Sequence, residues 1–496
     1  MKSKYLLITY FIIVGVFAQE SNVFHNRNFW KTNPSIQTIE KFIAEGNDIT
    51  SLNKNAFDAV TWALIEKTDN STIKYLLSKE GNDVNKLTHD GRTYIFWAAY
   101  KNNLEMMQYL IDKGAKTDII DSHGYSVLNF AASTGQKDKE LYEFLIKHGA
   151  NPLLEKKQNG ANALLLVAPF LDDLELINYF KSLGINEYST DNSGNGLFNY
   201  AAKGGNILFL KQLIEKGYPY KDLNNHGGNA FLMASQGRRG HTNSIEVYQF
   251  LESVGLEPNV VGKEGKNPLH NLAYRIKDKE LFRFFLNKNV DVNHQDKNGN
   301  TPFMNAARNN ELDVLQLMQP FVADINLKNN KCQTALSFAF SRNNFEVVEY
   351  LLQHKADITV KDKTGNSLAY YLLDTYDSKE TEEFEAKLNL LKSHNIPLNE
   401  VQSEGNTLLH FAVQKENLDL IKRIKDFNIE VDAKNDEGNT ALHLAAMKAK
   451  DRSILEYLIE MGASKTIKTD FEESVYDLAN ENEILIEKNT DLEFLK

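Results

Sequence analysis

Residues 296–307 read DKNGNTPFMNAA, in which a turn glycine is followed by a small hydroxyl residue and then by a short apolar stretch that ends in small residues. The same phrase returns as HDGRTYIFWAA (His89–Ala99), SHGYSVLNFAA (Ser122–Ala132), NSGNGLFNYAA (Asn192–Ala202), SEGNTLLHFAV (Ser403–Val413) and DEGNTALHLAA (Asp436–Ala446). With the turn position as anchor, the repeats fall at Gly91, Gly124, Gly160, Gly194, Gly227, Gly265, Gly299, Cys332, Gly365, Gly405, Gly438 and Glu472, separated by 33 to 40 residues. Such a period marks stacked units, each burying its apolar face on its neighbours, rather than one globular core. Function is therefore to be sought on a repeated surface.

Each unit can be read from its residues. The anchor suits a backbone turn of positive φ, and the Thr or Ser two positions later can cap the helix that follows. Thr301-Pro302 and Asn267-Pro268 extend this pattern, because proline is preorganised for the first helical position. The pairs Ala98-Ala99, Ala131-Ala132, Ala201-Ala202, Ala306-Ala307 and Ala445-Ala446 let neighbouring helices approach closely. A second, amphipathic helix follows in LEMMQYLIDKGA, ELYEFLIKHGA, FEVVEYLLQHKA and SILEYLIEMGA, with apolar residues at helical spacing. Gly114, Gly149, Gly217 and Gly462 are placed to end it.

These features together resemble the ankyrin repeat family, whose phrase D-x-x-G-x-T-P-L-H-x-A-A followed by E-x-V-x-x-L-L-x-x-G-A-D is matched most closely at Asp296–Ala307, Phe345–Asp357 and Gly438–Ala446. The resemblance runs from about residue 56 to 480 in eleven or twelve registers. It implies an all-α solenoid of about 12–13 helix-turn-helix units with β-hairpin-like loops. Residues 19–55 are expected to form an N-terminal capping segment, 56–471 the array, and 472–496 a degenerate C-terminal capping repeat.

Residues 1–18 are read as a signal peptide. Lys2 and Lys4 precede an apolar run from Tyr5 to Val16, and Val16-Phe17-Ala18 offers small residues before a cut after Ala18. The run falls short of the roughly 20 residues that a spanning helix needs, so no stable membrane span is expected after cleavage. The net charge of −11 and pI near 5.7 argue against nucleic-acid binding, which needs a basic face. Cys332 is the only cysteine, so no intramolecular disulfide can form and stability must come from packing. These features suggest an exported protein, periplasmic or secreted and bacterial, and monomeric.

The twelve histidines argue against an enzyme or a metal site. His270, His410 and His443 share the position five after the anchor, where the family resemblance implies a loop-supporting role, with Thr407–His410 and Thr440–His443 as bonding pairs. His148, His354 and His394 end the second helix, and His89, His123 and His226 sit beside the anchor turn. Only His25, His241 and His294 fall outside the register, and no metal-ligand spacing or phosphate-binding glycine loop gathers them. No catalytic residue, metal or cofactor is expected.

The resemblance also implies that a partner protein is recognised by the turn tips and by the exposed end of the first helix, nine and ten residues after the anchor. Those positions hold Tyr100 near Arg92, Lys101 and Tyr125, and farther along Tyr274, Arg275, Arg308 and Arg342. Tyr100, Tyr125, Tyr274, Arg275, Arg308 and Arg342 are the candidate contact residues, since Tyr and Arg are favoured interface anchors. Aromatics six after the anchor, namely Trp97, Phe130, Tyr200, Phe338, Tyr371 and Phe411, are expected in the core. Two longer connections, Gln236–His241 and the acidic stretch Asp374–Glu383, are read as tolerated insertions. The expected function is a protein-interaction scaffold. A structural or protective envelope protein and a secreted effector acting on host proteins are the alternatives.

Replacing Ala306 or Ala445 by leucine is predicted to cost about 1–3 kcal/mol through overpacking, measured by urea denaturation. A fully tolerated substitution would mean that the repeat register is wrong there.

Overall fold

The structure is a computed structural model describing residues 22–496; the leader read at residues 1–18 lies outside them. Among the described residues there are 28 α-helices, and the connecting turns form isolated bridges but no strand.

The repeating turn is built by side chains as much as by backbone. All twelve anchors have positive φ, from +56° at Cys332 to +93° at Gly365. At seven of them the Asp or Asn three residues earlier (Asp121, Asp191, Asn224, Asp296, Asn329, Asp362 or Asn435) accepts two backbone N–H bonds through Oδ1, at 2.8–3.1 Å. Neighbouring tips are tied by single backbone bonds, among them Lys297 N–H to the Glu264 carbonyl at 3.0 Å and Asn330 N–H to the Asn298 carbonyl at 2.9 Å. This close approach explains glycine at Gly299, where a Cβ would stand 2.7 Å from the Asn330 nitrogen.

Two residues after the anchor the first helix starts, with Ser126, Thr301, Thr334, Thr440 and Ser474 among its N-caps. The Thr301 hydroxyl accepts the Met304 N–H at 3.1 Å, which satisfies a backbone donor that the helix itself leaves open. The alanine pairs are all buried, as close helix packing requires. Gly114, Gly149, Gly217 and Gly462 have φ of +79° to +103° after the second helix, and His148, His354 and His394 occupy C-cap positions.

The chain forms two compact units. One runs to Ala201 and takes in Leu208–Pro219; the other holds Ala202–Ile207 and Tyr220–Lys496. In the first unit, helix Ala59–Ile65 packs on Tyr94–Tyr100, which packs on Val127–Ser133 and so on to Ala163–Val167. In the second, first helices stack from Ala230–Gln236 through Pro268–Ala273, Pro302–Asn309 and Ala335–Arg342 to Leu368–Leu372, and again from Leu408–Gln414 through Ala441–Lys448 to Val475–Glu481.

Of the six aromatics expected in the core, Trp97, Phe130, Tyr200 and Tyr371 are buried, whereas Phe338 and Phe411 are half-buried. Three of the buried rings turn their polar tips back to the residue three before the anchor. Trp97 Nε1 donates to Thr88 Oγ1 at 2.8 Å, Tyr200 Oη to Asp191 at 3.0 Å and Tyr371 Oη to Asp362 at 2.6 Å. Each ring thus locks its helix to its own turn.

A second recurring device closes the end of the first helix. Asn310 Nδ2 donates to the Ala273 and Ile276 carbonyls at 3.0 and 2.8 Å, and Asn343 does the same to the Ala307 and Asn310 carbonyls. In the next repeat this task falls to Lys387, buried to 1% exposure, whose Nζ reaches the carbonyls of Ala339, Phe340 and Asn343. Burial pushes the Lys387 ammonium down to about 8, opposed by the charge of Glu383. The acidic connection before it is partly enlisted as well. Asp374 pairs with Lys415 at 2.6 Å and Glu383 accepts the Phe345 N–H at 2.7 Å.

Cys332 keeps the left-handed turn at φ +56° without being glycine. A side chain in this region costs on the order of 1 kcal/mol, so its substitution is not neutral for the backbone. Cys332→Gly is predicted to raise the urea midpoint by the equivalent of about 0.5–1 kcal/mol. A lower midpoint would show that the half-buried thiol contributes more than the turn strain costs.

Candidate functional site

Within the second unit, the ends of the first helices Ala230–Gln236, Pro268–Ala273 and Pro302–Asn309 line an open groove of about 1030 Å³. Its cations are Lys203, Arg238, Arg239, Lys266, Arg275 and Arg308, against one carboxylate, Asp296. That carboxylate is committed to its own turn, accepting from the Asn298 and Asn300 N–H groups at 2.8 and 2.9 Å. The groove is therefore a concentrated positive region on a chain of net charge −11.

The wall carrying Arg238 and Arg239 is the longer connection after Gln236. It is a tight turn in which the Arg238 N–H donates to the His241 carbonyl at 3.1 Å and the His241 N–H returns to the Arg238 carbonyl at 2.9 Å. Gly237 allows this at φ +59°, where a Cβ would stand 2.6 Å from the His241 carbonyl oxygen. Asn243, 2% exposed, anchors the far end by donating to the Ala202 and Ala234 carbonyls, each at 3.0 Å. The insertion is a built element, and it holds two arginines against the ends of the first helices.

Other cations are aimed by aromatic faces. The Arg275 guanidinium lies 5.3 Å from the Tyr274 ring and that of Arg308 lies 5.5 Å from the Phe338 ring. Such placement lets the ring face attract the cation. Among the described residues, Arg239, Lys266, Arg275 and Arg308 form no ion pair. The second helices of the same repeats behave differently, with Lys277 pairing with Glu311 and Lys279 with Asp313 on the following repeat.

Three of the six candidate contact residues, Tyr274, Arg275 and Arg308, thus line one groove. Arg342, exposed at the end of helix Ala335–Arg342, is not among its lining residues. Tyr100 and Tyr125 belong to the first unit. Both are half-buried, and both rings lie near Phe130, at 6.1 and 6.4 Å. Lys101 sits over the Tyr100 ring and Lys157 over the Tyr125 ring, at 4.7 and 4.6 Å. Arg92, from the same stretch, is taken up by the structure. It is 7% exposed, pairs with Asp90 and Asp121 at 3.0 and 2.7 Å, and lies 4.3 Å from the Phe130 ring.

Sequence reasoning did not single out Lys203, Lys266, Arg238 or Arg239. For Lys203 the signal was present, since it stands nine residues after Gly194, the register position of Tyr274 and Arg308. The arginines were visible as an insertion, but what placed them was the bond from Asn243 to Ala202, 41 residues away.

His270 also lines the groove, and it explains the repeated histidine. Its Nε2 faces the Asn300 carbonyl at 3.0 Å, so this nitrogen carries the proton, and Nδ1 accepts the Asn267 N–H at 3.1 Å. His410 and His443 make the same connection, with Nδ1 accepting from Thr407 and Thr440 and Nε2 facing the carbonyls of Asn439 and Ile467. Burial pushes the His270 imidazole down to about 4, and lowers His410 and His443 as well. These side chains are structural links between turn and following repeat. Among the described residues no group of three or more His, Cys, Asp or Glu side chains could hold a metal ion, and no helix is long and apolar enough to cross a membrane.

The chain matches the family model of ankyrin repeats in three copies over residues 32–121, 60–156, 239–329, 269–362 and 381–469, more than half its length, and it belongs to the ankyrin repeat family. Membership implies a protein-interaction scaffold. It is similar to alpha-latroinsectotoxin-Lt1a of Latrodectus tredecimguttatus, 24% identical over 69% of this chain and 24% of that protein. Phosphocholine transferase AnkX of Legionella pneumophila is 25% identical over 36% of this chain and 18% of its own length. A putative ankyrin repeat protein of Rickettsia felis is 26% identical over 45% of this chain and 48% of its own length. The chain therefore spans less than half of each of these relatives. Among solved structures, one chain of the complex between the predatory endopeptidase Bd0816 of Bdellovibrio bacteriovorus and the immunity protein Bd3460 is similar, with a TM-score of 0.33 and 23% identity, covering 40% of this chain and 98% of that one.

The buried histidines set an acid limit. Between the unfolded value near 6.5 and the folded value of about 4 for His270, the unfolded chain binds a proton that the folded chain refuses, so stability falls as pH drops through this window. Urea denaturation across it should show a loss of up to about 3 kcal/mol from His270, absent in His270→Asn. Parallel pH profiles for the two chains would contradict the neutral-imidazole assignment.

Proposed function

We propose that the chain is an exported scaffold that binds another protein through its turn tips and first-helix ends, without catalysis. The observation carrying this reading is the convergence of Tyr274, Arg275 and Arg308 with the Arg238–Arg239 turn on one groove. The groove wall is preformed, hydrogen-bonded at both ends, and two of the arginines lie over aromatic rings. Rigid surfaces lose little conformational entropy on binding, so contact energy goes into affinity. Tyr274 adds a partly exposed aromatic of the type that anchors interfaces.

Export rests on Lys2, Lys4 and the apolar run from Tyr5 to Val16. It places the interaction in the periplasm or beyond the cell, where a chain lacking disulfides must rely on packing. Recognition by a monomer is the simplest arrangement of this kind.

Affinity capture from envelope and secreted fractions should compare the tagged wild type with a variant carrying Arg275→Glu, Arg308→Glu and Arg342→Glu, both checked for equal thermal unfolding. The expected result is a partner held by the wild type and weakened about tenfold or more in the variant. A partner retained equally by both chains would move the binding surface elsewhere.

A further inference from the structure

Charge is distributed unevenly in the second unit. At the starts of the second helices, cations meet anions of the neighbouring repeat, as in Lys277–Glu311 and Lys279–Asp313. On the groove side of the same repeats the turn tips hold one such pair, Lys297–Glu264 at 3.2 Å, and other cations are left over. Arg239, Lys266, Arg275 and Arg308 gather within one groove, and its sole carboxylate, Asp296, is already engaged by two backbone N–H groups. Like charges held close together raise the energy of the free protein, and a bound anion relieves that cost. In a chain with 67 acidic and 56 basic residues, four cations without an ion-pair partner in one groove are an unexpected arrangement.

The groove also favours one kind of anion. The Arg275 and Arg308 guanidiniums lie over rings, and guanidinium forks match carboxylates in two-point contact. Beside them stand the uncharged amides of Asn298, Asn271 and Asn305; the last two each donate one bond within the stack, to Ser235 Oγ and the His270 carbonyl, and keep their Oδ1 acceptors for the backbone of an extended chain. The cations come from the first-helix ends, from the turn tip at Lys266 and from the Arg238–Arg239 wall, so they are spread along the groove rather than focused on one point. A nucleic acid carries its charge beyond any short site, and would run onto a surface whose overall charge is of its own sign.

We infer that this groove docks an extended acidic polypeptide segment, rich in Asp and Glu, supplied by the partner protein. The inference rests on the interaction reading above and gives it a chemistry: carboxylates of the segment pair with Arg275 and Arg308, and Arg239 and Lys266 close around its flanks. Arg342, outside the groove, makes no contact with the segment.

The direct test is fluorescence anisotropy of the full chain with a labelled peptide of alternating Glu and Ser, against the same peptide with Gln in place of Glu. Binding of the Glu peptide is expected to weaken as salt rises. It should weaken about tenfold or more in Arg275→Glu/Arg308→Glu and also in the fully surface-placed pair Arg239→Glu/Lys266→Glu. Lys277→Glu/Lys279→Glu, which changes charge equally on the second-helix side, should bind like the wild type. Arg342→Glu alone should also leave the affinity unchanged.

Because Arg308 is half-buried over Phe338, the Arg239/Lys266 pair keeps the test valid if the other variant unfolds. Equal binding of the Glu and Gln peptides, equal losses in the Lys277/Lys279 control, or tighter binding of a single-stranded oligonucleotide than of the Glu peptide would each overturn the inference. If the captured partner is lost in the triple-arginine variant while the Glu peptide fails to bind, the interaction reading stands and the acidic-segment inference falls.

Discussion

The left-handed residue at the tip of each turn is the constraint from which the rest of the structure follows. It reverses the chain so that the next helix starts two residues later, and it brings neighbouring tips, such as those of Asn298 and Asn330, close enough to bond. Where the anchor is not glycine, at Cys332 and Glu472, φ is still +56° and +64°. The stack imposes the geometry even where the residue resists it. Everything counted from this point then falls into place: the capping hydroxyl, the ring whose polar tip returns to the turn, the alanine pair, and the side chains nine and ten positions on that face the groove.

Polar groups divide into those that hold the stack and those that are left over. Oδ1 of Asp296 and its equivalents, the amide of Asn310, and the imidazoles of His270, His410 and His443 all satisfy backbone groups that the repeat would otherwise bury unpaired. Burying such groups unsatisfied would cost about 1–3 kcal/mol each, so these residues are fixed by the fold. Lys387 shows how strong the requirement is, since a lysine is buried to supply a bond that asparagine supplies elsewhere. Arg239 and Arg275, by contrast, form no ion pair among the described residues. Their arrangement calls for an explanation outside the fold.

The period, the turn, the helix starts and the histidine register were legible in the sequence because each depends on residues close together in the chain. The pairs Thr407–His410 and Thr440–His443, which the family resemblance implied at that register position, bond as expected. What escaped were features set by distant neighbours. Arg92 reads as an exposed tip residue until Asp121 from the next repeat encloses it. Phe338 holds a core position in the register but stays half-buried under the Arg308 guanidinium. The Arg238–Arg239 insertion looked dispensable because only Asn243, bonded across the stack, reveals that it is held in place. The stripe of Tyr274, Arg275 and Arg308 was readable and Lys203 shares its register, whereas Lys266 joined it only through the three-dimensional groove.

The most direct measurement is a crystal structure of the chain with a bound acidic peptide. Carboxylate oxygens about 3 Å from the guanidinium groups of Arg275 and Arg308, with the peptide lying between those helix ends and the Arg238–Arg239 turn, are the predicted result. A peptide seated on the second helices or on the first unit, with the groove empty, would contradict the assignment of this face as the binding surface.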